Sequence, residues 1–410
     1  MIIIVGAGPA GIMAAIRASE LGQDTVLIEK NPILGRKLLL SGKGRCNLTN
    51  ACDLEAFLKR FSKNGQFLRD AFKKFFNHEL MGFFEKRGLQ LKVERQERVF
   101  PLTDSSSSIV DVLKKELLKN KVKIHFKTQL KGVVIEEKKI KGILLLDGTR
   151  IPCEKLILAT GGVSYKFTGS SGEGIMIARE LGHEIMGLRP GLVALVTKEK
   201  EIKLLEGLTL KNIRLKFSDN KKELVSEIGE LLFTGFGISG PLVLTLSGKI
   251  LDWLAKSGKL FVIIDLKPGL SEEQLNVRLL REFKENAKKS VRNTLKDLLP
   301  LRMIDVFLKY LEIDADKRVA QVTQEERQRI ISLLKGFRLE ISGSLPIEEA
   351  MVTRGGVSLK QINPRTMESR LIKGLYFAGE MIDVDADTGG FNLQAAFSTG
   401  YLAGESAALN

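Results

Sequence analysis

At 410 residues the chain is long for one hydrophobic core and predicts two or three structural units. A hydrophobic content of 44% with only ten prolines excludes a disordered chain, and the apolar runs Leu156–Ala159 and Phe261–Ile264 are too short to span a membrane. Lysine and arginine number 64 against 49 aspartates and glutamates, and the net charge of +15 favours phosphate-bearing cofactors, acidic substrates or nucleic acid.

The opening run Met1-Ile-Ile-Ile-Val-Gly-Ala-Gly-Pro-Ala-Gly11 predicts a strand, a tight turn and a helix start. Gly6 permits the turn, Gly8 lets backbone approach a pyrophosphate, and Gly11 allows helix and strand to pack closely. With Pro9 and Ala10 they form the expected phosphate-facing turn, where free N–H groups and the positive helix end favour anionic charge. The chain enters this strand directly, so no signal peptide is expected and a cytoplasmic location is. The next strand, Thr25–Ile28, leads to Glu29, the expected acceptor for ribose hydroxyls, with Lys30 beside it.

Gly35–Asn50 is dense in glycines, cations and hydrogen-bonding side chains. Arg36 and Lys37 are expected at a diphosphate, with Ser41, Gly42 and Gly44 adding hydroxyl and backbone donors. Arg45, Cys46 and Asn47 are expected farther along the cofactor, where a cation or amide donor stabilises a reduced flavin ring. Cys46 itself reads as a small packing residue. The three cysteines, Cys46, Cys52 and Cys153, form no CxxC pair and suit a reducing compartment.

Residues 54–90 predict helices with a phenylalanine stripe that reads as core, and Ile109–Asn120 another helix. The basic stretches Lys59–Arg98 and Arg278–Arg302 read as solvated helix faces. Lys123–Phe126, Leu130–Glu136 and Ile140–Leu146 predict strands, and Leu130 is a further cofactor candidate. Leu156–Gly162 predicts a buried strand whose end, Ala159, Thr160 and Gly161, returns past the diphosphate. Thr168–Gly174 reads either as a border of the substrate or as a loop leading into a helix. The histidines His78, His125 and His183 are scattered, which leaves a metal site or a histidine triad without support.

Near Arg189-Pro190-Gly191 the pattern changes. Leu192–Thr197, Leu210–Phe217, Glu223–Ile228 and Glu230–Phe233 predict a small antiparallel unit over 191–268, and 269–343 reads as helical. Gly235-Phe-Gly-Ile-Ser-Gly240 formally satisfies GxGxxG, with Asp265 at the end of a later strand, and would make a second dinucleotide site for NAD(P)H. The alternating strands around it, Pro241, and the lack of a third parallel strand count against that reading.

Strand and glycine signals return from about Ser344. Leu375–Ala378 leads into Gly379 and Glu380, and Asp387-Thr-Gly-Gly-Phe-Asn-Leu-Gln394 starts the last helix. This second signature decides between cofactors. A nicotinamide dinucleotide needs one βαβ unit, whereas FAD held lengthwise also needs groups along its ribityl chain and ring. Glu380 is expected at the ribityl hydroxyls, and the amides of Gly390, Phe391, Asn392, Leu393 and Gln394 at the pyrimidine edge. The expected cofactor is FAD, and NAD(P)H is kept as a transient electron donor.

The loop Gly35–Asn50, the Thr168–Gly174 stretch, Leu232-Phe-Thr with Gly237-Ile-Ser-Gly-Pro241, and the tail from Thr366 to Gln394 resemble one group of bacterial flavoproteins. This is the NAD(P)/FAD-dependent oxidoreductase family that includes an aminoacetone oxidase and a bile-acid Δ4-ketone reductase. The resemblance implies an α/β fold with a discontinuous FAD domain of the glutathione-reductase and fumarate-reductase type over 1–190 and 344–410. It also implies an insert over 191–343 that joins a β-barrel-like unit to a helical part. The family pattern usually has His where this chain has Gly235, so the chemistry of better-known members need not transfer.

The expected function is FAD-dependent hydride transfer with a small organic substrate bound between the FAD domain and the insert. Tyr165, Arg354 and Asp383 are polar residues beside glycine-rich turns, and none is assigned as acid or base. A flavin-containing RNA-binding or RNA-modifying protein is the alternative, motivated by the basic excess. Nucleic acid is disfavoured but left open, no membrane partner is expected, and the oligomeric state is not read.

Overall fold

The computed structural model describes residues 1–410. It divides into two compact units, Met1–Gly191 with Pro346–Asn410, and Leu192–Leu345.

The first unit is built on a five-stranded parallel sheet. Its strands are β1 (Ile2–Val5), β2 (Thr25–Ile28), β3 (Lys123–His125), β4 (Lys155–Leu158) and β5 (Leu375–Phe377), in the order β5-β4-β1-β2-β3. Ile2, Ile3 and Ile4 are all buried, as befits a parallel strand covered on both faces. Helix α1 (Pro9–Glu20) follows β1, and helix α2 (Phe391–Leu409) closes the unit against it.

Two glycines make the α1–α2 contact a backbone contact. A Cβ at Gly400 would lie 2.1 Å from the Ala10 carbonyl oxygen, and one at Gly404 would lie 2.4 Å from that of Ala14. At the far end Arg17 bonds Glu405 at 2.5 Å, and Lys74 adds a second ion pair at 3.1 Å. Burial alone would raise the Glu405 carboxyl, but these two cations hold it below the usual carboxylate range. The phenylalanine stripe is core: the Phe57 ring lies 5.3 Å from Phe72, 5.0 Å from Phe76 and 4.7 Å from Phe391, edge to face.

Two smaller sheets complete this unit. Leu91–Glu94 and Arg98–Pro101 form a hairpin on Thr49–Asn50, which sequence patterning missed because the strands are short and charged. Ile185–Gly191 pairs antiparallel with Val352–Val357.

The second unit is a closed antiparallel barrel of Leu195–Thr197, Gly237–Ser239, Glu223–Thr234, Thr209–Ser218, Leu260–Asp265 and Phe337–Ser344, with helices between the last two strands. Glu223–Thr234 is one continuous strand where two short ones were expected. Phe337–Ser344 corrects the all-helical reading of 269–343. Its buried Phe337, Leu339 and Ile341 alternate with more exposed residues, a strand period that the helical run before it concealed.

The barrel also settles the second GxGxxG. Gly237–Ser239 pairs antiparallel with both Leu232–Thr234 and Leu195–Val196, so no parallel βαβ crossover surrounds it. A Cβ at Gly237 would sit 2.3 Å from the Leu195 carbonyl oxygen, and that glycine serves barrel packing. A dinucleotide site built on 235–240 is therefore excluded.

Candidate functional site

The turn after β1 has the geometry that a pyrophosphate needs. Gly6 takes φ +101°, and its N–H donates to the Ile28 carbonyl at 2.8 Å. Gly11 has no room for a side chain, since its Cβ would lie 1.8 Å from the Gly6 oxygen. Gly8 differs: nothing lies within 4 Å of the place its Cβ would take. Pro9 carries no N–H, and the first intrahelical bond runs from Ile12 to Gly8 at 2.9 Å. The N–H groups of Ala10 and Gly11 therefore have no acceptor within the helix.

Glu29 is buried at the end of β2 and accepts from the Ala7 N–H and from the Asn31 N–H and side-chain amide, each at 2.8 Å. This places its carboxylate against the glycine turn. Lys30 donates to Ser171 at 2.5 Å and pairs with Glu173 at 2.9 Å, while Asn31 donates to the Thr168 carbonyl at 3.0 Å. Thr168–Gly174 is thus tied to the Glu29 corner and leads into the helix Glu173–Glu180. Arg36 is exposed and donates to Asn31 at 3.0 Å. Leu130 is buried, two residues beyond Thr128, whose N–H donates to the Glu29 carbonyl at 3.0 Å. Ala159 continues β4, and the Thr160 N–H and hydroxyl meet the Met381 sulfur at 3.4 and 3.2 Å. Gly161 turns the chain at φ +78°.

At the tail, Lys37 and Glu380 bond each other at 2.7 Å instead of reaching separately toward diphosphate and ribityl chain. Glu380 also accepts from the Ser164 hydroxyl and the Thr353 N–H, both at 2.7 Å. Gly379 donates its N–H to Thr399 at 3.0 Å. Asn47 accepts from the Gly390 N–H and donates to the Thr49 carbonyl, each at 3.2 Å, and so joins the Gly35–Asn50 loop to the start of α2.

One tail assignment needs correction. Gln394 is fully buried, bonded to Thr49 at 2.6 Å and Ser398 at 2.9 Å, and its N–H already closes the first helical bond to Gly390. The amides of Phe391, Asn392 and Leu393 have no acceptor within the helix and sit at the positive end of its dipole. Asn392 spends its side chain on Ala386, accepting from its N–H and donating to its carbonyl at 2.9 Å.

The Gly35–Asn50 loop needs one as well. Arg45 is engaged by Asp104 and Glu94 and lies over the Phe100 ring, so protein groups already neutralise it. Cys46 takes φ +61° and is fully buried, and burial pushes its thiol up to about 12, which leaves it inert. Ser41 donates to the Leu38 carbonyl at 2.7 Å, and Gly42 and Gly44 adopt φ +57° and +84° in the turn that follows.

Between Glu380 and α2 the chain is zipped to residues 60–64. The Ser62 N–H and hydroxyl donate to the carbonyl and carboxylate of Asp385 at 2.9 and 2.7 Å, and the Asn64 amide donates to the carbonyl and carboxylate of Asp383 at 3.0 and 3.1 Å. A cavity of 290 Å³ opens here, lined in part by Lys63, Arg189, Arg354, Asp383 and Asp385. Arg189 and Arg354 are direct partners across the antiparallel pair, and the buried Arg354 places its Nε 3.6 Å from Asp385. Burial, reinforced by the charge of Asp385, pushes the Asp383 carboxyl above its usual range. Sequence reading noted Arg354 and Asp383 only as polar residues. Lys63 and Arg189 carried no local signal, because folding alone brings these distant positions together.

The residues around the turn, Glu29 and the start of α2 fit FAD: open space at Gly8, an acid against the turn, and a second helix N-terminus. Among relatives, the chain is 32% identical to a 3-dehydro-bile acid delta(4,6)-reductase of Clostridium scindens, over 99% of this chain and 98% of that protein. It is also 32% identical to a ribosomal RNA dihydrouridine synthase of Escherichia coli, over 97% and 96%. Solved structures share the fold: a 3-ketosteroid delta1-dehydrogenase of Sterolibacterium denitrificans, at 12% identity, TM-score 0.53 and 99% of both chains, and a quinol-fumarate reductase, at 17% identity, TM-score 0.52, 99% of this chain and 70% of the other. The model of the HI0933-like protein Rossmann domain matches residues 1–406, and the chain belongs to that family of FAD-dependent oxidoreductases.

Proposed function

We propose that this enzyme saturates a carbon–carbon double bond conjugated to a carbonyl group. The observation that carries this reading is that two near-full-length relatives bear names describing one chemical change. A 3-oxo steroid with Δ4 and Δ6 double bonds is an extended enone. Uracil, the base that becomes dihydrouracil, has its C5–C6 double bond conjugated to a ring carbonyl. In both, reduction of the bond next to the carbonyl adds hydride to the β-carbon and a proton to the α-carbon, and the steroid's Δ6 bond reacts in the vinylogous sense.

Bound FAD, once reduced, supplies the hydride. The chain's part is binding and orientation. Gly6, Gly8 and the amides of Ala10 and Gly11 would hold the pyrophosphate, and Glu29 the ribose. Lys37 with Glu380 would hold the ribityl chain, and Asn47 with the amides of Phe391 to Leu393 the ring. NAD(P)H is the proposed source of electrons. The test is anaerobic: NADPH or light bleaches the flavin of the purified holoenzyme, and 4-androstene-3,17-dione or a uridine-containing RNA then restores its colour with loss of the double bond. Restoration by dioxygen alone would overturn the reading in favour of an oxidase.

A second reading, favoured by the net charge of +15, makes the uracil sit within RNA. It predicts RNA binding whose log affinity falls linearly with log salt, and dihydrouridine lost from ribosomal RNA when the gene is removed. RNA that neither binds at low salt nor reoxidises the flavin would leave a small enone as the substrate.

A further inference from the structure

Resting on that reading, we propose that the cavity between residues 60–64 and the 383–387 segment is the substrate pocket, in which Arg354 and Arg189 hold the carbonyl oxygen and Asp383 protonates the α-carbon. Three observations converge on this cavity. Its volume of 290 Å³ admits a small organic molecule and not a folded macromolecule. Its walls are continuous with the proposed ribityl end through covalent neighbours: Thr353, next to Arg354, donates its N–H to Glu380, and Asp383 lies three residues beyond Glu380. Finally, its polar groups sort by chemistry, with two guanidiniums at directly opposed strand positions and a carboxyl fixed by Asn64.

That sorting matches the reaction. When hydride arrives at the β-carbon, the double-bond pair moves toward the carbonyl oxygen and an enolate forms. Guanidinium donors aimed at that oxygen meet charge that exists only as the reaction proceeds, which is where fixed electrostatics lower a barrier. The O–H bond of Asp383 then breaks, a C–H bond forms at the α-carbon, and the enolate pair restores the carbonyl. The Asp383 carboxylate left behind recovers a proton from water.

Asp383 faces Asp385, Lys63, Arg189 and Asn64. Burial and Asp385 favour its neutral form, and the other three oppose them. The like-charged neighbour thus lets one carboxyl keep its proton while the other pairs with Arg354. Cys46, Cys52 and Cys153 are all buried, with thiols pushed up to about 12, 11 and 12 chiefly by burial, so none competes as the acid.

The test uses FAD-loaded protein, with flavin content checked in every variant and two probes, 4-androstene-3,17-dione and uridine. R189A, at an exposed position, and R354K should each weaken calorimetric binding of the preferred probe about ten-fold or more. D383N should bind it within about three-fold, lower single-turnover flavin reoxidation about 100-fold, and lose the decline in rate seen as pH rises through the Asp383 pKa. Wild-type binding in both arginine variants overturns the pocket. Wild-type turnover and pH profile in D383N overturn the proton donor. If arginine-dependent binding survives but wild-type enzyme reduces neither probe, the reaction reading fails while the pocket stands. Whichever probe shows the arginine dependence identifies the source of the carbonyl.

Discussion

The chain carries GxGxxG twice, at Gly6–Gly11 and at Gly235–Gly240, and the two copies do different work. In the first, outer glycines serve packing while the middle one faces open space. In the second, the middle glycine is wedged into barrel backbone. Both follow a strand and precede a helix, so the motif by itself does not separate them, and only the alternating pattern of the flanking strands does. The difference lies in the strands: parallel and crossing over a helix in one, antiparallel in the other. A phosphate site needs room beside the second glycine, and only the parallel unit leaves it.

The largest effect should come from Gly11→Ala. A Cβ 1.8 Å from the Gly6 oxygen cannot be accommodated, and loss of folded, yellow protein is expected on purification. Gly8→Val tests the open space itself: FAD affinity should fall roughly 100-fold, the size of losing about two charge-assisted hydrogen bonds, while the apoprotein melts within a few degrees of wild type. Equal FAD binding in this variant would break the comparison. Gly237→Ala should do the reverse, destabilising the barrel by about 2–4 kcal/mol in denaturant melts with FAD stoichiometry unchanged.

The smallest expected effect concerns Glu405, which helps α2 hold α1 behind the first motif. Its folded pKa is depressed, so its contribution is present above the usual carboxylate value and is lost as pH falls through the folded value. E405Q should cost about 1–2 kcal/mol at neutral pH, and the gap to wild type should close on acidification. A gap that stays constant with pH would remove the ion pairs from the account.

Much of the first motif was legible because turn, helix and acid fall within one short segment. Glu29 and Gly8 stand where their spacing puts them. The tail was legible as an element but not in its side chains. Gln394 looks like a ligand residue in sequence and proves to be a buried brace, because a helix start shows its type and not its facing. Lys37 reads as a cation for the diphosphate and Arg45 as one near the flavin, yet carboxylates from elsewhere in the chain engage both. Strand Phe337–Ser344 was hidden by the charged helices before it. Gly400 and Gly404 were passed over entirely, since a glycine inside a helix shows its purpose only when the neighbouring helix is known.

Those two glycines have a consequence for biosynthesis. Strand β5 and helix α2 come from the last forty residues, yet they dock on β4 and on α1. During translation the βαβ segment of β1, α1 and β2 waits, its apolar helix face uncovered, until residues 371–410 have been made. The nascent chain is therefore most exposed to aggregation in the interval before that segment folds back onto α1.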